Sequence, residues 1–275
     1  MSGHDHERGP FDRGLSEDLQ VWKQLLGRRR LLQWAAYTAG LVACGGSSGE
    51  DESADGTTTT AAHGSCNGII PEETAGPYPG DGTNNNGTNA LALEGIVRSD
   101  VRSSVGGASG TAQGVPLTVR LTIRDASCSP LAGYAVYIWH CDREGRYSMY
   151  SAGATAENYL RGVQVTDDQG VVEFLTIFPA CYPGRWPHIH FEVYSGLAAA
   201  TSGRNAVATS QLALPEDDCD EVFTTSGYEA SVNNLAMLSL ATDMVFRDGA
   251  TLETPIVTGS ASAGYVAALA VTIDA

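Results

Sequence analysis

Apolar and polar residues alternate along much of this chain with a period of two, which is the pattern of half-buried β-strands. The clearest run is Leu117–Arg124, where every second residue is leucine, valine or isoleucine. The other predicted strands are Tyr134–Cys141, Val163–Thr166, Val171–Ile177, Pro187–Tyr194, Ala206–Leu214 and Tyr265–Ile273. Asp167–Gly170 predicts a hairpin turn, and Val232–Leu240 could form a turn or two of helix. The pattern predicts an all-β fold, a β-sandwich of two packed sheets.

The first 43 residues have the layout of an export signal. Arg28 and Arg29 precede the apolar run Leu31–Val42, which is too short to span a bilayer. The arginine pair resembles a twin-arginine signal. The string Leu41–Cys44 resembles a bacterial lipobox, which implies that Cys44 is acylated and becomes the new N-terminus. The alternative is a buried helix followed by a structural cysteine.

The next segment, residues 44–65, is rich in glycine, serine, threonine and acidic residues. It has too few large apolar side chains to bury a core, so it is predicted to be a flexible tether. The folded domain is expected over residues 66–275. Together these features predict an exported domain that a lipid anchors at the cell envelope, in the periplasm or on the outer cell surface.

Removal of the signal makes the remaining chain strongly acidic. The first 43 residues carry six of the 16 basic residues and five of the 32 acidic ones, which leaves 10 against 27, a net charge near −17. All ten remaining basic residues are arginine. Such a protein lacks the basic face that nucleic-acid phosphates require. An anionic membrane surface would also repel it, so membrane attachment would depend on the lipid.

Five cysteines follow the tether: Cys66, Cys128, Cys141, Cys181 and Cys219. An exported protein can keep disulfides, and an odd count leaves one thiol over or one bond to another chain. The spacings match no zinc motif, which argues against a cysteine metal site. The preferred expectation is that Cys181 is the free cysteine, while the pairing of the others stays open.

Two tyrosines and two histidines are the candidate metal ligands: Tyr147, Tyr182, His188 and His190. Phenolate is a hard anionic donor that stabilises Fe(III), and imidazole accepts most first-row metals. His188 and His190 are two apart in a predicted strand, so their imidazoles share a face. Tyr182 can fold back across a Pro-Gly-Arg loop, and Tyr147 follows a predicted turn. Together these residues indicate an oxidative metalloenzyme.

The strings around these residues resemble the intradiol ring-cleavage dioxygenases, the family of protocatechuate 3,4-dioxygenase and catechol 1,2-dioxygenase. The resemblance lies in I-W-H-C-D-R-E-G-R-Y-S, which starts at Ile138, and in L-R-G-V-Q-V-T-D-D-Q-G-V-V-E-F-L-T-I-F-P-A-C-Y-P-G-R-W-P-H-I-H-F, which starts at Leu160. The string P-E-E-T-A-G-P-Y-P, Pro71 to Pro79, is similar to the start of exported single-domain members. The resemblance covers roughly Cys66 to the C-terminus and is dense over Leu131–Val193.

The resemblance implies a non-haem Fe(III) held equatorially by Tyr147 and His188 and axially by Tyr182 and His190, with a hydroxide completing the shell. It also implies that a catechol displaces Tyr182 and the hydroxide, and that one of these two takes a substrate proton. O2 would then open the ring between the two hydroxylated carbons to give a cis,cis-muconate-type diacid.

The resemblance assigns roles to two further residues. Arg185 would face the substrate ring and stabilise negative charge on it, and Gln211 would assist Arg185. The alternative interpretation is that Arg185 is a solvated surface charge. His140 is expected to be a packed or supporting histidine instead of a metal ligand.

Two other functions remain open at this point. One is an inactive β-sandwich module that binds an aromatic or carbohydrate ligand at the cell surface. The other is the same ligand set loaded with another metal, because affinity order alone does not select iron. The retention of all four donor side chains together with Arg185 favours the enzyme.

Overall fold

The computed structural model describes residue 66, residues 68–84 and residues 87–275. The predicted signal peptide, the tether and Cys44 lie outside these residues. Within them, no helix combines the length and the apolar character that crossing a membrane requires.

In the described part of the chain, eight strands form two four-stranded sheets. The strands are β1 (Pro116–Arg124), β2 (Ala135–Trp139), β3 (Arg161–Val165), β4 (Val171–Ile177), β5 (His188–Tyr194), β6 (Ala208–Ala213), β7 (Ile256–Ser260) and β8 (Gly264–Thr272). Two short helices, α1 (Glu216–Phe223) and α2 (Glu229–Leu235), and three 3-10 turns, Ala90–Ala92, Gly203–Asn205 and Phe246–Asp248, complete the described elements.

The first sheet has the order β4-β1-β8-β7 and the second has the order β3-β2-β5-β6. Neighbouring strands are antiparallel, apart from the parallel pair β1 and β8. The predicted apolar face of β1 is fully buried, from Leu117 to Ile123. The prediction of an all-β sandwich is therefore confirmed.

The second sheet is covered on both faces. Every residue of β2 and of β5 is buried, although a sandwich strand with one wet face would bury only alternate residues. Part of the cover comes from residues 68–84, which we call the arm. The arm is held to both sheets, because Ile70 N–H donates to the Thr272 carbonyl and Glu73 N–H donates to the Thr209 carbonyl, both at 2.8 Å.

The turn at Asp167–Gly170 forms, but it does not close a hairpin. Gly170 N–H donates to the Asp167 carbonyl at 2.9 Å, and the Asp167 side chain accepts from the amides of Gln169 and Val171. However, β3 pairs with β2, whereas β4 pairs with β1 in the other sheet. The hairpin prediction was wrong because turn residues define only the chain reversal, while burial selects the partner of each strand.

Three other elements differ from the prediction. The predicted helix at Val232–Leu240 lies earlier, at Glu229–Leu235, and ends before the exposed Met237. Helix α1 was missed, although Cys219, Val222 and Phe223 are buried at helical spacing and its first turn is acidic. Strand β7 was missed because it is largely exposed and contains a glycine, so it lacks the buried alternation of the other strands.

The structure joins Cys66 to Cys128 in a disulfide and leaves Cys141, Cys181 and Cys219 free and buried. The expectation that Cys181 is free is correct, but the expectation that only one thiol is left over is wrong. Each of the three thiols points to a backbone carbonyl of its own surroundings instead of to another sulfur.

Candidate active site

The site is built on the arm-covered face of the second sheet. Strand register places Arg161, Trp139, His190 and Gln211 side by side across β3, β2, β5 and β6. We call these four residues the cross-sheet row, since directly opposed residues of antiparallel strands project from the same face. The rings of Trp139 and His190 stack with centroids 4.8 Å apart and planes 4° apart. This stacking fixes the orientation of the His190 imidazole.

His188 lies two residues before His190 on β5, and the two imidazoles share a face as predicted. His188 Nδ1 lies 2.5 Å from the Trp186 carbonyl oxygen, which can only accept a hydrogen bond. The Nδ1 atom therefore carries the proton, and Nε2 presents a lone pair to the site. The Nε2 atoms of the two histidines are 3.1 Å apart.

Tyr147 is placed by the tight turn that precedes it. The Asp142 carboxylate accepts from the amides of Glu144 and Arg146 and from Nε of Arg146. Gly145 completes the turn with φ of +82°, a backbone conformation that favours glycine. The result is a buried phenol whose oxygen lies 3.3 Å from His188 Nε2.

Tyr182 begins the loop that the sequence predicted to fold back. Arg185 N–H donates to the Tyr182 carbonyl, and Gly184 turns the chain with φ of +87°. The Tyr182 hydroxyl lies 3.2 Å from His188 Nε2 and 3.5 Å from the Tyr147 hydroxyl. Tyr182 is partly exposed, whereas the other three side chains are buried.

The four candidate ligands thus place two oxygens and two nitrogens 3.1 to 3.5 Å from their neighbours. Ligand atoms about 2.0–2.2 Å from a shared metal ion stand about 3 Å apart, so this donor set fits one ion. Among the described residues, no three His, Cys, Asp or Glu side chains cluster to hold a metal. A site of two imidazoles and two phenols does not require such a cluster.

Burial sets the charge of these groups. Burial lowers the pKa of His188 and of His190 well below the usual value for histidine, with Arg185 adding to the effect. Burial also raises the pKa of Tyr147 and of Tyr182. Both imidazoles are therefore neutral, so each can offer a nitrogen lone pair to a metal ion. The phenols need a nearby cation to ionise.

Arg185 is buried beside the donor atoms and is not a solvated surface charge. Its Nε donates to Asp243 at 3.0 Å, its Nη2 donates to the Gln211 side-chain oxygen at 2.7 Å, and its Nη1 lies 3.4 Å from His188 Nε2. Burial opposes the charge, but Tyr182 and Asp243 outweigh burial and raise the pKa of Arg185. The structure brings Arg185 and Gln211 together as expected, and their catalytic roles stay predictions.

The arm closes the site from the other side. A Cβ atom on Gly76 would lie 3.3 Å from Cε1 and 3.8 Å from Nε2 of His190, so the backbone passes close to that edge of the ring. The Tyr78 ring packs on Tyr147 with centroids 5.1 Å apart. Nε2 of Gln211 donates to the Thr74 carbonyl at 2.8 Å.

Sequence reasoning missed Asp243, which is fully buried and binds Arg185. No sequence pattern marks it, because the two residues meet across 58 positions of chain. His140 is predicted to be a packed or supporting histidine. In the structure it is buried, and its ring nitrogens lie 2.8 Å from the Cys141 carbonyl and 2.7 Å from the Thr176 hydroxyl.

Comparisons with known proteins find similar sequences and a similar fold. A dioxygenase family model matches residues 98–206. A segment of 60 residues is 35% identical to chlorocatechol 1,2-dioxygenase of Rhodococcus opacus and covers 22% of this chain and 23% of that protein. A segment of 61 residues is 34% identical to catechol 1,2-dioxygenase of Candida albicans and covers 22% of this chain and 20% of that protein. The matches therefore span about a quarter or less of the length of these curated relatives.

A solved structure matches most of the described chain. The intradiol ring-cleavage dioxygenase of Tetranychus urticae aligns with a TM-score of 0.57 and 26% identity over 75% of this chain and 94% of that one. The family model, the aligned fold and the convergence of the four motif residues agree with one another. The chain is similar to the dioxygenase family over residues 98–206 and shares the fold of an intradiol ring-cleavage dioxygenase.

Proposed function

We propose that this protein is a non-haem Fe(III) intradiol dioxygenase. It cleaves a catechol-type ring between its two hydroxylated carbons, incorporates both atoms of O2 and yields a cis,cis-muconate-type diacid. The observation that carries the proposal is the convergence of two phenol oxygens and two imidazole nitrogens at 3.1 to 3.5 Å. The names of the curated relatives, catechol and chlorocatechol 1,2-dioxygenase, support the substrate class.

Tyr147, Tyr182, His188 and His190 would hold the iron. Ferric iron bound there supplies the positive charge that draws electron density from a catecholate and makes its ring reactive toward O2. The protein holds the two imidazoles in fixed orientations through Trp139 and the Trp186 carbonyl.

Tyr182 is the candidate ligand best placed to move. It is partly exposed and lies on a loop with exposed Pro183 and Gly184, whereas the other three side chains are buried. A displaced Tyr182 phenolate next to an entering catechol can accept a hydroxyl proton from it, which is general base catalysis.

Arg185 provides a fixed charge where the ring reacts. Asp243 accepts from Nε of its guanidinium and Gln211 accepts from Nη2, so the group does not need to reorganise during the reaction. Negative charge that develops on the ring is therefore stabilised by a preorganised cation in a buried setting.

The test is to load the purified protein with iron and to follow absorption and oxygen uptake. We expect one iron per chain, a red-brown phenolate-to-iron band, and catechol-dependent O2 consumption with formation of a muconate. Tyr147→Phe and Tyr182→Phe should each alter the band because each removes a phenolate donor, whereas the matched control Tyr134→Phe should not. An iron-loaded protein without the band, or without O2 uptake on any catechol, would instead favour the binding module.

We also infer that the protein is exported and lipid-anchored at the cell envelope. The inference is supported by Arg28 and Arg29, by the Leu41–Cys44 string and by the acidic tether. The Cys66–Cys128 disulfide is consistent with it, because disulfides persist in oxidising compartments.

A further inference from the structure

Arg161 is buried at 1% exposure, and each of its five N–H groups has an acceptor. Nε donates to the Ser148 hydroxyl at 3.1 Å. Nη1 donates to the Pro79 carbonyl at 2.6 Å and to the Tyr137 hydroxyl at 3.1 Å. Nη2 donates to the carbonyls of Tyr78 at 2.9 Å and of Ser148 at 3.0 Å. None of these acceptors is a carboxylate, so the guanidinium works as a rigid multiple donor to backbone and hydroxyl groups.

These bonds join the arm to the site. Tyr78 and Pro79 belong to the arm, and Ser148 follows the candidate ligand Tyr147 directly. The Tyr78 ring in turn packs against Tyr147. Arg161 therefore connects the segment that carries a candidate metal ligand to the segment that covers the site.

Hydrogen bonds hold the arm at both ends of the cross-sheet row. Gln211, at one end, donates to the Thr74 carbonyl, and Arg161, at the other end, donates to the Tyr78 carbonyl. Between these two anchors the backbone turns at Gly76, which has φ of +70°, and bends at Pro77. Gly76 N–H donates to the Thr74 hydroxyl at 3.0 Å, so the arm holds a defined shape beside His190.

We propose that Arg161 is a positioning residue for substrate binding. With Gln211 it fixes the arm across the cross-sheet row, so that Gly76 and Tyr78 form a rigid wall of the catechol site. The effect on catechol rests on the proposed function, whereas the effect on the arm does not. Lysine cannot replace Arg161, because one ammonium cannot reproduce a planar fork with five donors.

Arg161→Lys tests the proposal, with Arg98→Lys as the matched control. Arg98 also donates to backbone carbonyls, those of Arg161, Asn158 and Ser103, but none of them belongs to the arm. In the metal-free protein, Arg161→Lys should speed amide hydrogen exchange in residues 68–84 at least tenfold and leave β1 unchanged. Arg98→Lys should leave exchange in the arm at the wild-type rate. Equal exchange in the arm of Arg161→Lys and wild type would overturn the proposal.

Kinetics of the iron-loaded protein with catechol give the second readout. Arg161→Lys should raise KM about tenfold, the effect of one or two lost hydrogen bonds, and should change kcat by less than about threefold. A fall in kcat with KM unchanged would place Arg161 outside substrate binding and refute the proposal. Loss of catechol turnover in wild type would refute the proposed function, while the exchange result on the metal-free protein would still decide the role of Arg161.

A milder variant covers the case that Arg161→Lys does not fold. Tyr150 accepts from Gly80 N–H at 2.9 Å and from Asn84 at 3.1 Å, so it holds the arm a few residues further along. Tyr150→Phe should speed exchange around residues 78–84 and raise KM for catechol in the same direction as Arg161→Lys, by a smaller factor. If both the exchange rates and KM stayed at wild-type values, the proposal that the arm is a rigid wall of the catechol site would be contradicted.

Discussion

Arg185 holds a buried positive charge next to the candidate ligands, balanced by Asp243 on its far side. Arg185 is not one of the four candidate metal ligands. We therefore expect Arg185→Ala to retain iron and the red-brown colour and to bind catechol. Turnover should fall roughly a hundredfold, since one well-placed charge is worth on the order of 3 kcal/mol in a transition state. Iron content, the catechol-induced spectral shift and turnover should be measured on one preparation.

Asp243→Asn tests the contribution of the ion pair between Asp243 and Arg185 separately from the charge of Arg185 itself. This variant keeps Arg185 and its bond to Gln211, so turnover should fall less than in Arg185→Ala. Loss of iron together with activity in Arg185→Ala would show instead that Arg185 supports the loop before His188. Unchanged turnover would remove Arg185 from the reaction altogether.

Glu192 offers a test through pH. It is buried, and burial together with the hydrogen-bonded Asp81 raises its pKa to about 8 from the usual 4.5. The folded protein therefore keeps a proton that the unfolded chain releases between these values, so stability falls as pH rises from about 4.5 to 8. Glu192→Gln cannot ionise. It should match wild type below pH 5 and exceed it by about 1 kcal/mol or more near pH 8.

Urea unfolding of wild type and Glu192→Gln at a series of pH values measures this difference. The glutamine can still accept from Tyr194 and donate to Asp81, so the local hydrogen bonds are kept. Parallel stability curves across the whole range would show that Glu192 is not the group that titrates.

Single residues also show the limit of sequence reasoning about the site. His188 and His190 could be paired from strand periodicity, and the loops before Tyr147 and Tyr182 contain recognisable turn residues. The structure places all four together, although their binding of iron stays a prediction. Asp243, Thr74 and Arg161 could not be found in this way, because their contacts join segments that are far apart in the chain.

At the level of elements, the turn between β3 and β4 carries the chain from one sheet to the other. Gly170 has φ of +74°, and a Cβ atom there would lie 2.4 Å from the Ile123 carbonyl oxygen. We expect Gly170→Ala to lower the free energy of unfolding by about 2–4 kcal/mol, from backbone strain plus overpacking.

Gly133→Ala is the matched control. Gly133 has φ of +78° but open space around its Cβ position, so only the strain of about 1 kcal/mol applies. Denaturant unfolding of both variants gives the comparison. Equal losses would mean that the crossing between sheets tolerates the extra methyl group.

The sequence predicted the positions of the strands better than it predicted which strands pair with each other. Of the eight strands in the described residues, seven overlap predicted runs, because buried alternation is a local signal. The assignment of β3 and β4 to different sheets was not predictable from Asp167–Gly170, since strand pairing depends on which surfaces the folded chain can bury. The exposed β7 leaves almost no such signal at all.

For the whole molecule, the export proposal predicts a change of location. Cys44→Ser should release the protein from the membrane fraction or leave the precursor unprocessed, because serine cannot be acylated as the cysteine is. Arg28→Lys combined with Arg29→Lys should block export. Fractionation and immunoblotting of cells measure both, and a membrane-bound Cys44→Ser protein would contradict the lipid anchor.

The three buried thiols have a chemical consequence of their own. Catechols oxidise in air to ortho-quinones, electrophiles that attach to lysine amines and cysteine thiolates. The sequence has no lysine after Lys23, and burial raises the pKa of Cys181 to about 12 and that of Cys219 well above normal. Almost no thiolate is therefore present at neutral pH. A protein proposed to work among catechols thus offers their oxidation products few side chains to arylate.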